Sequence, residues 1–452
     1  MTAVADAADR LAPIADALRR AARRFGTPLY ATDVTGLASA AAAVRSAFPD
    51  PWIRMFSVKA NDVAPIVARV TTHGFGASVV SRGEWAVARK AGLANERIAL
   101  EGVGKTDADL RAAVRAAREG APLRWIAIES VDEAVALAAI ARAGRARGRA
   151  GAGRARADRA VAAPARPLDV LFRLNPDVAP ETHESLAVGA GGSKFGMTEA
   201  ELGAAIEIIV AVPAGRLVAR GIHLHVGSQL GAIDAWRDAV RRGLALLALL
   251  RGTYTSFDTL DVGGGFPVAP IGQPSPDPER FARELPALLE AIPEDRRPAR
   301  LAIEPGRALV ARAGYLVARV LHVRERGGRQ VVLDAGMTEL IRPALYGAFH
   351  QVVALTSLGR PIATDAFASG AARADVTRAV VEGPICESTD HLGVHSLPPL
   401  RRGDLVAIRD AGAYAASLAS TYNGRPRPPQ VIVERDGTLT LARRRGSLAV
   451  LG

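Results

Sequence analysis

Residues 53–59 have the sequence IRMFSVK, a short apolar run that ends in a lysine. This run predicts a buried β-strand over Ile53–Val58. Seven similar runs follow before residue 310, separated by longer Ala-rich segments that predict helices. They are Gly76–Val80, Arg97–Leu100, Arg124–Ile128, Asp169–Leu174, Gly221–His225, Thr259–Val262 and Arg300–Ile303. Strands that alternate with helices are typical of a parallel sheet, and eight of them within about 250 residues predict an α/β fold, a closed (β/α)8 TIM barrel.

Residues suited to chemistry directly follow most of these predicted strands. They are Lys59, Ser81, Glu84, Arg173, Asn175, His225, Gly227, Ser228, Gly263, Gly264, Gly265, Glu304, Gly306 and Arg307. The carboxyl ends of barrel strands meet at one face, where barrel enzymes have their active sites. This clustering therefore favours a closed barrel over an open sheet and predicts a site at that face.

The remainder of the chain predicts a second domain. After residue 310 the strands become short and are broken by Gly and Pro, which is typical of a β-rich fold. They are Tyr315–Arg324, Gln330–Leu333, Arg378–Val381, Leu405–Ile408 and Gln430–Glu434. We expect an N-terminal segment over 1–45, a barrel over 46–310 and a β-rich domain over 311–452.

Composition excludes several classes of protein. The single cysteine, Cys386, excludes an internal disulfide framework and suits a reducing compartment. The chain contains no apolar run long enough for a membrane helix, so we expect a cytoplasmic protein with no membrane partner.

Eight arginines and one aspartate between Ala141 and Pro167 account for +7 of the formal net charge of +12. This stretch lacks aromatic residues and apolar periodicity, so we interpret it as a mobile surface insertion rather than a nucleic-acid site.

Lys59 is one of only four lysines, with Lys90, Lys105 and Lys194. Burial at the end of an apolar strand disfavours the charged ammonium, and a neutral amine can condense with an aldehyde. The alternative is a lysine at the barrel rim whose ammonium reaches solvent. The glycines of LDVGGGF would let backbone N–H groups approach a phosphate. A lysine and a phosphate cradle at one barrel mouth together suit pyridoxal phosphate.

Glu304, in IEPGR, suits the ring of that cofactor. A carboxylate beside the pyridine nitrogen keeps the nitrogen protonated and makes the ring an electron sink. The alternative is an ordinary ion pair with Arg307. His223 and His225 lie on one face of a strand, which raises the question of a metal site. No third ligand is evident nearby in the sequence, so we expect no metal and an imidazole stacked on the cofactor ring.

Ordered motifs along nearly the whole chain resemble the diaminopimelate decarboxylase family. This family belongs to the alanine-racemase-like group of pyridoxal enzymes, which includes eukaryotic-type ornithine decarboxylase. The motifs are FGTPLYATD, FSVKAN, RLNPDV, SKFGM, HLHVGSQL, LDVGGGF, EPGR, DAGMTELIRPALYGAFH, EGPICESTD and GAYAASLASTYNGRPRP. The match fails at the insertion, 141–167.

The resemblance implies a role for each matching residue. Lys59 would bind the cofactor aldehyde, His225 would stack on the ring and Glu304 would pair with its nitrogen. The phosphate and nearby groups would be surrounded by Ser228, Gly264, Gly265, Pro305, Gly306, Arg307 and Tyr414. The second domain would be a β-barrel or sandwich that receives the strand in TPLYATD. A homodimer would complete the site, with Cys386 of the partner chain as the proton donor.

The resemblance also implies the substrate, meso-diaminopimelate, which would be converted to L-lysine and carbon dioxide in the last step of lysine biosynthesis. Its far carboxylate would meet Arg307, Arg342 and Tyr346, and its far ammonium would meet Glu387. Tyr414 would also contact the substrate. Four residues depart from the common family pattern, namely Ser78, Thr338, Glu339 and Gly347.

Alternatives remain open at this point. One is a related decarboxylase for ornithine, lysine, arginine or carboxynorspermidine, and another is a non-catalytic pyridoxal-phosphate-binding protein. Alanine racemases carry an arginine at the pyridine nitrogen, so Glu304 counts against that activity.

Overall fold

The structure is a computed structural model that describes residues 11–143, 164–183, 187–189, 192–270, 273–363 and 376–450. Eight parallel strands close into a barrel, because the eighth strand pairs with the first through Ile53 opposite Ala302 and Arg54 opposite Ile303. In order, the barrel strands are Ile53–Ser57, Gly76–Val79, Ile98–Leu100, Trp125–Ile128, Leu168–Arg173, Leu217–His223, Thr259–Asp261 and Arg300–Ile303. The predicted (β/α)8 barrel is confirmed.

Some strand ends differ from the sequence prediction. The sixth strand begins at Leu217 and ends at His223, whereas Gly221–His225 was expected. Its burial alternates from Leu217 onward, so its first half is a half-buried strand that a search for continuous apolar runs misses. Val58 and Lys59 lie beyond the first strand in a 3-10 turn, Val58–Ala60.

Helices cover the barrel, and side-chain hydrogen bonds fix the start of several of them. Thr106 and Thr198 begin two of them with capping boxes, in which the threonine side chain and an acid three residues on each accept a backbone N–H. The helices around the barrel are Val34–Ala47, Ala64–Thr71, Arg82–Lys90, Asp107–Arg118, Val131–Ala143, Glu199–Val210, Asp234–Arg251, Pro278–Ala282, Leu285–Glu290 and Arg307–Val310. Further 3-10 turns lie at Ala12–Ile14, Asn95–Arg97, Glu294–Arg296, Tyr422–Gly424 and Leu448–Val450.

The second domain is a nine-stranded sheet that branches at one long strand. Gly314–Glu325 pairs with Leu405–Ile408 along its first half and with Arg329–Leu333 along its second, with a register shift between Val320 and His322. The other strands of this sheet are Leu29–Asp33, Val352–Ala354, Thr377–Glu382, His391–Leu397, Gln430–Val433 and Leu439–Arg443. A small pair, Thr356–Ser357 with Arg360–Pro361, and the helices Ala15–Phe25 and Arg342–Tyr346 complete the domain.

The N-terminal segment divides between the two domains. Leu29–Asp33 pairs with Gly314–Glu325 and with Gln430–Val433, inside the second sheet. The next helix, Val34–Ala47, instead buries its apolar face in the barrel core. We therefore propose Asp33 as the boundary of the barrel, in place of the residue 45 expected from the sequence.

The arginine-rich stretch joins the barrel at the face opposite the carboxyl ends of the strands. Residues 144–163 lie outside the described residues, but both flanks are placed. Ala141–Ala143 end a helix whose last carbonyls accept hydrogen bonds from Arg216. Arg166 donates its backbone N–H to Ala117 and pairs with Glu96 at 3.0 Å. The interpretation of the whole stretch 141–167 as a mobile insertion is therefore wrong at both ends.

The two domains meet at a close backbone contact. A Cβ atom at Gly412 would lie 1.8 Å from the carbonyl oxygen of Val310 and 3.0 Å from the Cα atom of Gly314. Beside this contact, Asn61 donates its side-chain N–H to the Gly412 carbonyl at 3.0 Å. Tyr414 donates its backbone N–H to the Ala60 carbonyl at 2.8 Å. The turn that carries Lys59 is thus fixed to the second domain.

Gly412→Ala tests this joint. The added methyl must displace backbone, so we expect a loss of about 1–3 kcal/mol in the free energy of unfolding, measured by urea denaturation. Gly203→Ala is the control, since a Cβ there meets nothing within 4 Å in the helix Glu199–Val210. That control should stabilise the protein by roughly 0.5–1 kcal/mol. Equal stability of Gly412→Ala and wild type would contradict the proposed role of the joint.

Candidate active site

A cavity of about 530 Å³ opens at the carboxyl ends of the barrel strands. This volume lies within the usual range for small-molecule sites. Eleven of the residues expected from the sequence line it, namely Lys59, Arg173, His225, Ser228, Gly265, Glu304, Gly306, Arg307, Arg342, Tyr346 and Tyr414. Gly264 and Pro305 lie directly behind this lining, where they contact His225 and Ser57 through backbone hydrogen bonds. Cys386 and Glu387 are not among the lining residues.

Lys59 reaches the cavity because the first strand is fixed to the loop after the eighth. Ser57 donates its backbone N–H to the Pro305 carbonyl at 3.2 Å and its hydroxyl to the Glu304 carbonyl at 3.1 Å. Gly306 allows this contact, since a Cβ there would lie 3.0 Å from the Cβ of Ser57. The lysine and Glu304 therefore share one side of the cavity.

Glu304 is buried and keeps one carboxylate oxygen free. Its Oε1 atom has no hydrogen-bond partner among the described residues, and its Oε2 atom lies 3.5 Å from His223 Nε2. The alternative ion pair with Arg307 is absent from the described part of the chain. Arg307 instead donates to the Ser228 hydroxyl at 3.0 Å and lies over the ring of Tyr414 at 4.7 Å. Glu304 can therefore accept a hydrogen bond from a ligand.

His225 presents a neutral imidazole to the cavity. Its Nδ1 atom accepts the Gly264 backbone N–H at 3.3 Å, which leaves the ring proton on Nε2. Burial and the charge of Lys59 hold the pKa of His225 well below its ordinary value. The glycine turn can approach this ring only without side chains. A Cβ at Gly263 would lie 2.2 Å from the Leu224 carbonyl, and one at Gly264 would lie 2.5 Å from the Glu304 carbonyl.

Two buried arginines make part of the cavity suited to anions. Arg307 has two guanidinium nitrogens, and Arg342 one, that lack hydrogen-bond partners in the described ranges. Burial and the nearby charge of Arg307 lower the pKa of Arg342 to about 10. Arg342 donates to His350 Nε2 at 3.1 Å, and His350 Nδ1 donates to the Arg409 carbonyl at 2.9 Å. Buried guanidinium groups without a carboxylate partner are suited to a phosphate or carboxylate of a ligand.

Glu101 follows the third barrel strand and lines the cavity, but it was not among the residues expected from the sequence. The expectation that His223 has no third ligand nearby is also wrong. Glu101, His223 and Glu304 each offer a ligand atom, and these atoms lie within 4.8 Å of one another. The potential metal ligands beside His223 are therefore these two glutamates and not His225. The rule that found the other candidates, a polar residue at a strand end, also applies to Glu101.

These residues fit the pyridoxal phosphate that the sequence resemblance implies. The free Oε1 of Glu304 suits a protonated ring nitrogen, and the neutral imidazole of His225 suits a flat ring. The glycine turn and the unpaired nitrogens of Arg307 suit a phosphate. The amine of Lys59 opens on the same cavity.

Cys386 and Glu387 lie on the surface of the second domain. The thiol is exposed, and the Cys386 backbone N–H donates to Asn423 at 3.3 Å. Glu387 accepts the Tyr422 hydroxyl proton at 2.6 Å. Within one chain, Cys386 and Glu387 therefore lie beside Tyr422 and Asn423 and outside the cavity.

The pH dependence of stability tests the environment of His350. Burial and the charge of Arg342 lower the pKa of His350 to about 4 from 6.5. As pH falls from 6.5 toward 4, His350 becomes protonated in the unfolded chain but stays neutral in the folded chain. The free energy of unfolding therefore decreases by about 3 kcal/mol. His223, whose pKa is also lowered to about 4, adds to this decrease.

His350→Gln should therefore make the loss of unfolding free energy between pH 6.5 and 4 shallower, as measured by urea titrations at several pH values. His391→Gln, at an exposed position, is the control and should leave the slope unchanged. The same slope in wild type and His350→Gln would refute the argument.

Comparisons with known proteins agree with this geometry. The family model of the pyridoxal-dependent decarboxylases, pyridoxal binding domain, matches residues 35–311. Diaminopimelate decarboxylase of Aquifex aeolicus is 35% identical over 432 residues, which cover 95% of this chain and 91% of the relative. The corresponding protein of Actinosynnema pretiosum is 36% identical over 94% of this chain and 87% of its own length. The crystal structure of diaminopimelate decarboxylase from Helicobacter pylori complexed with L-lysine is similar with a TM-score of 0.80 and 27% identity, covering 96% of this chain and 98% of that one. The chain therefore belongs to the diaminopimelate decarboxylase family of pyridoxal-dependent decarboxylases.

Proposed function

We propose that this protein is a pyridoxal-phosphate-dependent carboxy-lyase that converts meso-diaminopimelate to L-lysine and carbon dioxide. The observation that carries the proposal is a single cavity that unites Lys59, the free oxygen of Glu304, neutral His225 and two buried arginines. The names of relatives that cover most of the chain support the same reaction.

The cofactor would be held by residues of the barrel together with Tyr414 of the second domain. Lys59 would bind the aldehyde, Glu304 would accept a hydrogen bond from the ring nitrogen, and His225 would pack on the ring face. The phosphate would be bound by Ser228, Gly264, Gly265, Gly306, Arg307 and Tyr414. When bound, pyridoxal phosphate supplies an electron sink for the electron pair left when the bond between Cα and the carboxylate breaks.

The far end of the substrate carries a carboxylate and an ammonium. Arg342 and Tyr346, with Arg307 and Tyr414, would bind the carboxylate, since buried guanidinium groups favour bidentate anion binding. Glu387 would bind the ammonium. A diamine-forming decarboxylase needs no such carboxylate site, so the paired arginines favour diaminopimelate over ornithine or lysine. After carbon dioxide leaves, Cys386 would deliver the proton that Cα takes in its place.

We propose that the site is completed in a homodimer. Cys386 and Glu387 are exposed and absent from the cavity lining of their own chain, so their roles require a second chain. Leu345, Phe349 and Tyr422 are about half exposed despite their apolar character, as expected of surfaces that another subunit covers.

A lone cysteine also suits a reducing compartment, which supports a cytoplasmic location. No helix in the described ranges is both long and apolar enough to cross a bilayer.

The first experiment mixes purified protein with pyridoxal phosphate and meso-diaminopimelate and follows the visible spectrum, lysine and carbon dioxide. Wild type should show a cofactor band and release both products, while Lys59→Ala should show neither because the amine is gone. A band with decarboxylation of a different amino acid would overturn the substrate. No band in wild type would overturn the cofactor.

A complementation experiment tests the dimer. Lys59→Ala and Cys386→Ala should each reduce turnover by at least about 100-fold, because each removes a reacting group. Heterodimers of the two, isolated with different affinity tags, should recover about half of the wild-type activity because one of two sites is intact. Inactive heterodimers would show that Lys59 and Cys386 act within one chain.

A further inference from the structure

Glu101 lies in a buried group of titratable side chains at the base of the cavity. It follows the third barrel strand, whereas His223 ends the sixth and Glu304 follows the eighth. All three are at most 5% exposed. The proposed function uses Glu304 alone of these three, so Glu101 and His223 are without an assigned role.

The close approach of Glu101 and Glu304 requires a proton in this group. Trp125 donates its indole N–H to Glu101 Oε1 at 3.2 Å, and Ser78 donates its hydroxyl to Oε2 at 3.2 Å. Glu101 and Glu304 also lie close together, since a carboxylate oxygen of each and a nitrogen of His223 are within 4.8 Å of one another. Two buried carboxylates at such a short distance cannot both be ionised without a large electrostatic cost, so one of them carries a proton.

The surroundings locate that proton on Glu101. Burial and the negative charge of Glu304 raise the pKa of Glu101 to about 8, although His223 opposes the shift. Burial lowers the pKa of His223 to about 4, so the imidazole between the two glutamates is neutral. The other titratable groups that face this group are Lys59, Glu129 with its partner Arg173, and Asp261. Burial and the two glutamates raise the pKa of Asp261 well above its ordinary value.

We propose that Glu101 is a positioning residue, whose protonated carboxyl group donates a hydrogen bond to Glu304 and holds that carboxylate ionised with Oε1 directed at the cofactor ring nitrogen. This inference rests on the proposed function, because it assumes that Glu304 binds the ring. A carboxylate that accepts a hydrogen bond is a weaker base than one that does not. Glu101 therefore keeps the shared proton on the ring nitrogen, where it makes the ring an effective electron sink.

The proton on Glu101 is tested first in protein without cofactor. Infrared spectra at neutral pH should contain C=O stretches of buried protonated carboxyl groups, and one band among them should disappear as pH rises through about 8. Glu101→Gln should lose this band. Glu133→Gln, at another buried glutamate that pairs with Lys105, should retain it. A component that titrates through about pH 8 and persists in Glu101→Gln would overturn the inference whether or not the proposed function is correct.

The effect on the ring is tested in the holoenzyme with pyridoxal phosphate labelled with 15N in the ring. In wild type and Glu101→Gln, whose amide still donates a hydrogen bond, the 15N shift should indicate a protonated nitrogen. In Glu101→Leu the proton should move to Glu304, so the shift should become that of unprotonated pyridine. We expect kcat to fall at least tenfold in Glu101→Leu with little change in KM.

Three outcomes separate the inference from its alternatives. A protonated nitrogen in Glu101→Leu would overturn the positioning role, and folding of that variant is checked by circular dichroism. A stoichiometric divalent ion that a chelator removes from wild type would also overturn it, because Glu101, His223 and Glu304 would then be metal ligands. Failure of wild type to bind the labelled cofactor would overturn the proposed function and, with it, the role of Glu101 toward the ring.

Discussion

The closure of the barrel between its first and eighth strands is the constraint on which the rest of the site depends. Only two residue pairs make this seam, Ile53 with Ala302 and Arg54 with Ile303. Yet the seam brings residues separated by about half of the chain to one rim, and the hydrogen bonds of Ser57 extend it into the cavity. Without it, Lys59 and Glu304 would have no fixed separation, and a rigid cofactor could not contact both.

The cavity combines two groups of charges with different neighbours. Arg307 and Arg342 are surrounded by hydroxyl groups, aromatic rings and the acceptor nitrogen of His350. Glu101, Asp261 and Glu304 instead form a buried acidic group beside a neutral imidazole, in which Ser78 and Trp125 donate hydrogen bonds to Glu101. Such burial costs free energy, because each charged group loses contact with water or changes its protonation state. The large barrel core can offset that cost, and the result is a site that distinguishes the anionic end of a ligand from its protonated ring.

Much of this architecture is encoded in local patterns. Apolar runs predicted all eight barrel strands, and the residues at strand ends predicted eight residues of the cavity, because a barrel places every strand end at one face. Arg342, Tyr346 and Tyr414 were expected from the family resemblance instead. Glu101 was missed because an isolated glutamate after an apolar run is usually exposed or paired with a cation. Its burial becomes evident only when Ser78, Trp125 and His223 are brought around it. The positions of Cys386 and Glu387 could not be predicted from one chain at all, because their proposed contacts lie in another.

The anchoring of the arginine-rich stretch has a practical consequence. Its flanks join the barrel on the side away from the cavity, where Ala141 accepts a hydrogen bond from Arg216 and Arg166 donates one to Ala117. Parallel barrels separate the loops that bear chemistry from those that only connect helix to strand. A foreign domain, a fluorophore or a surface tether inserted between these flanks would therefore face away from the entering substrate. The chain offers a natural attachment point for immobilising the protein with its cavity open to solution.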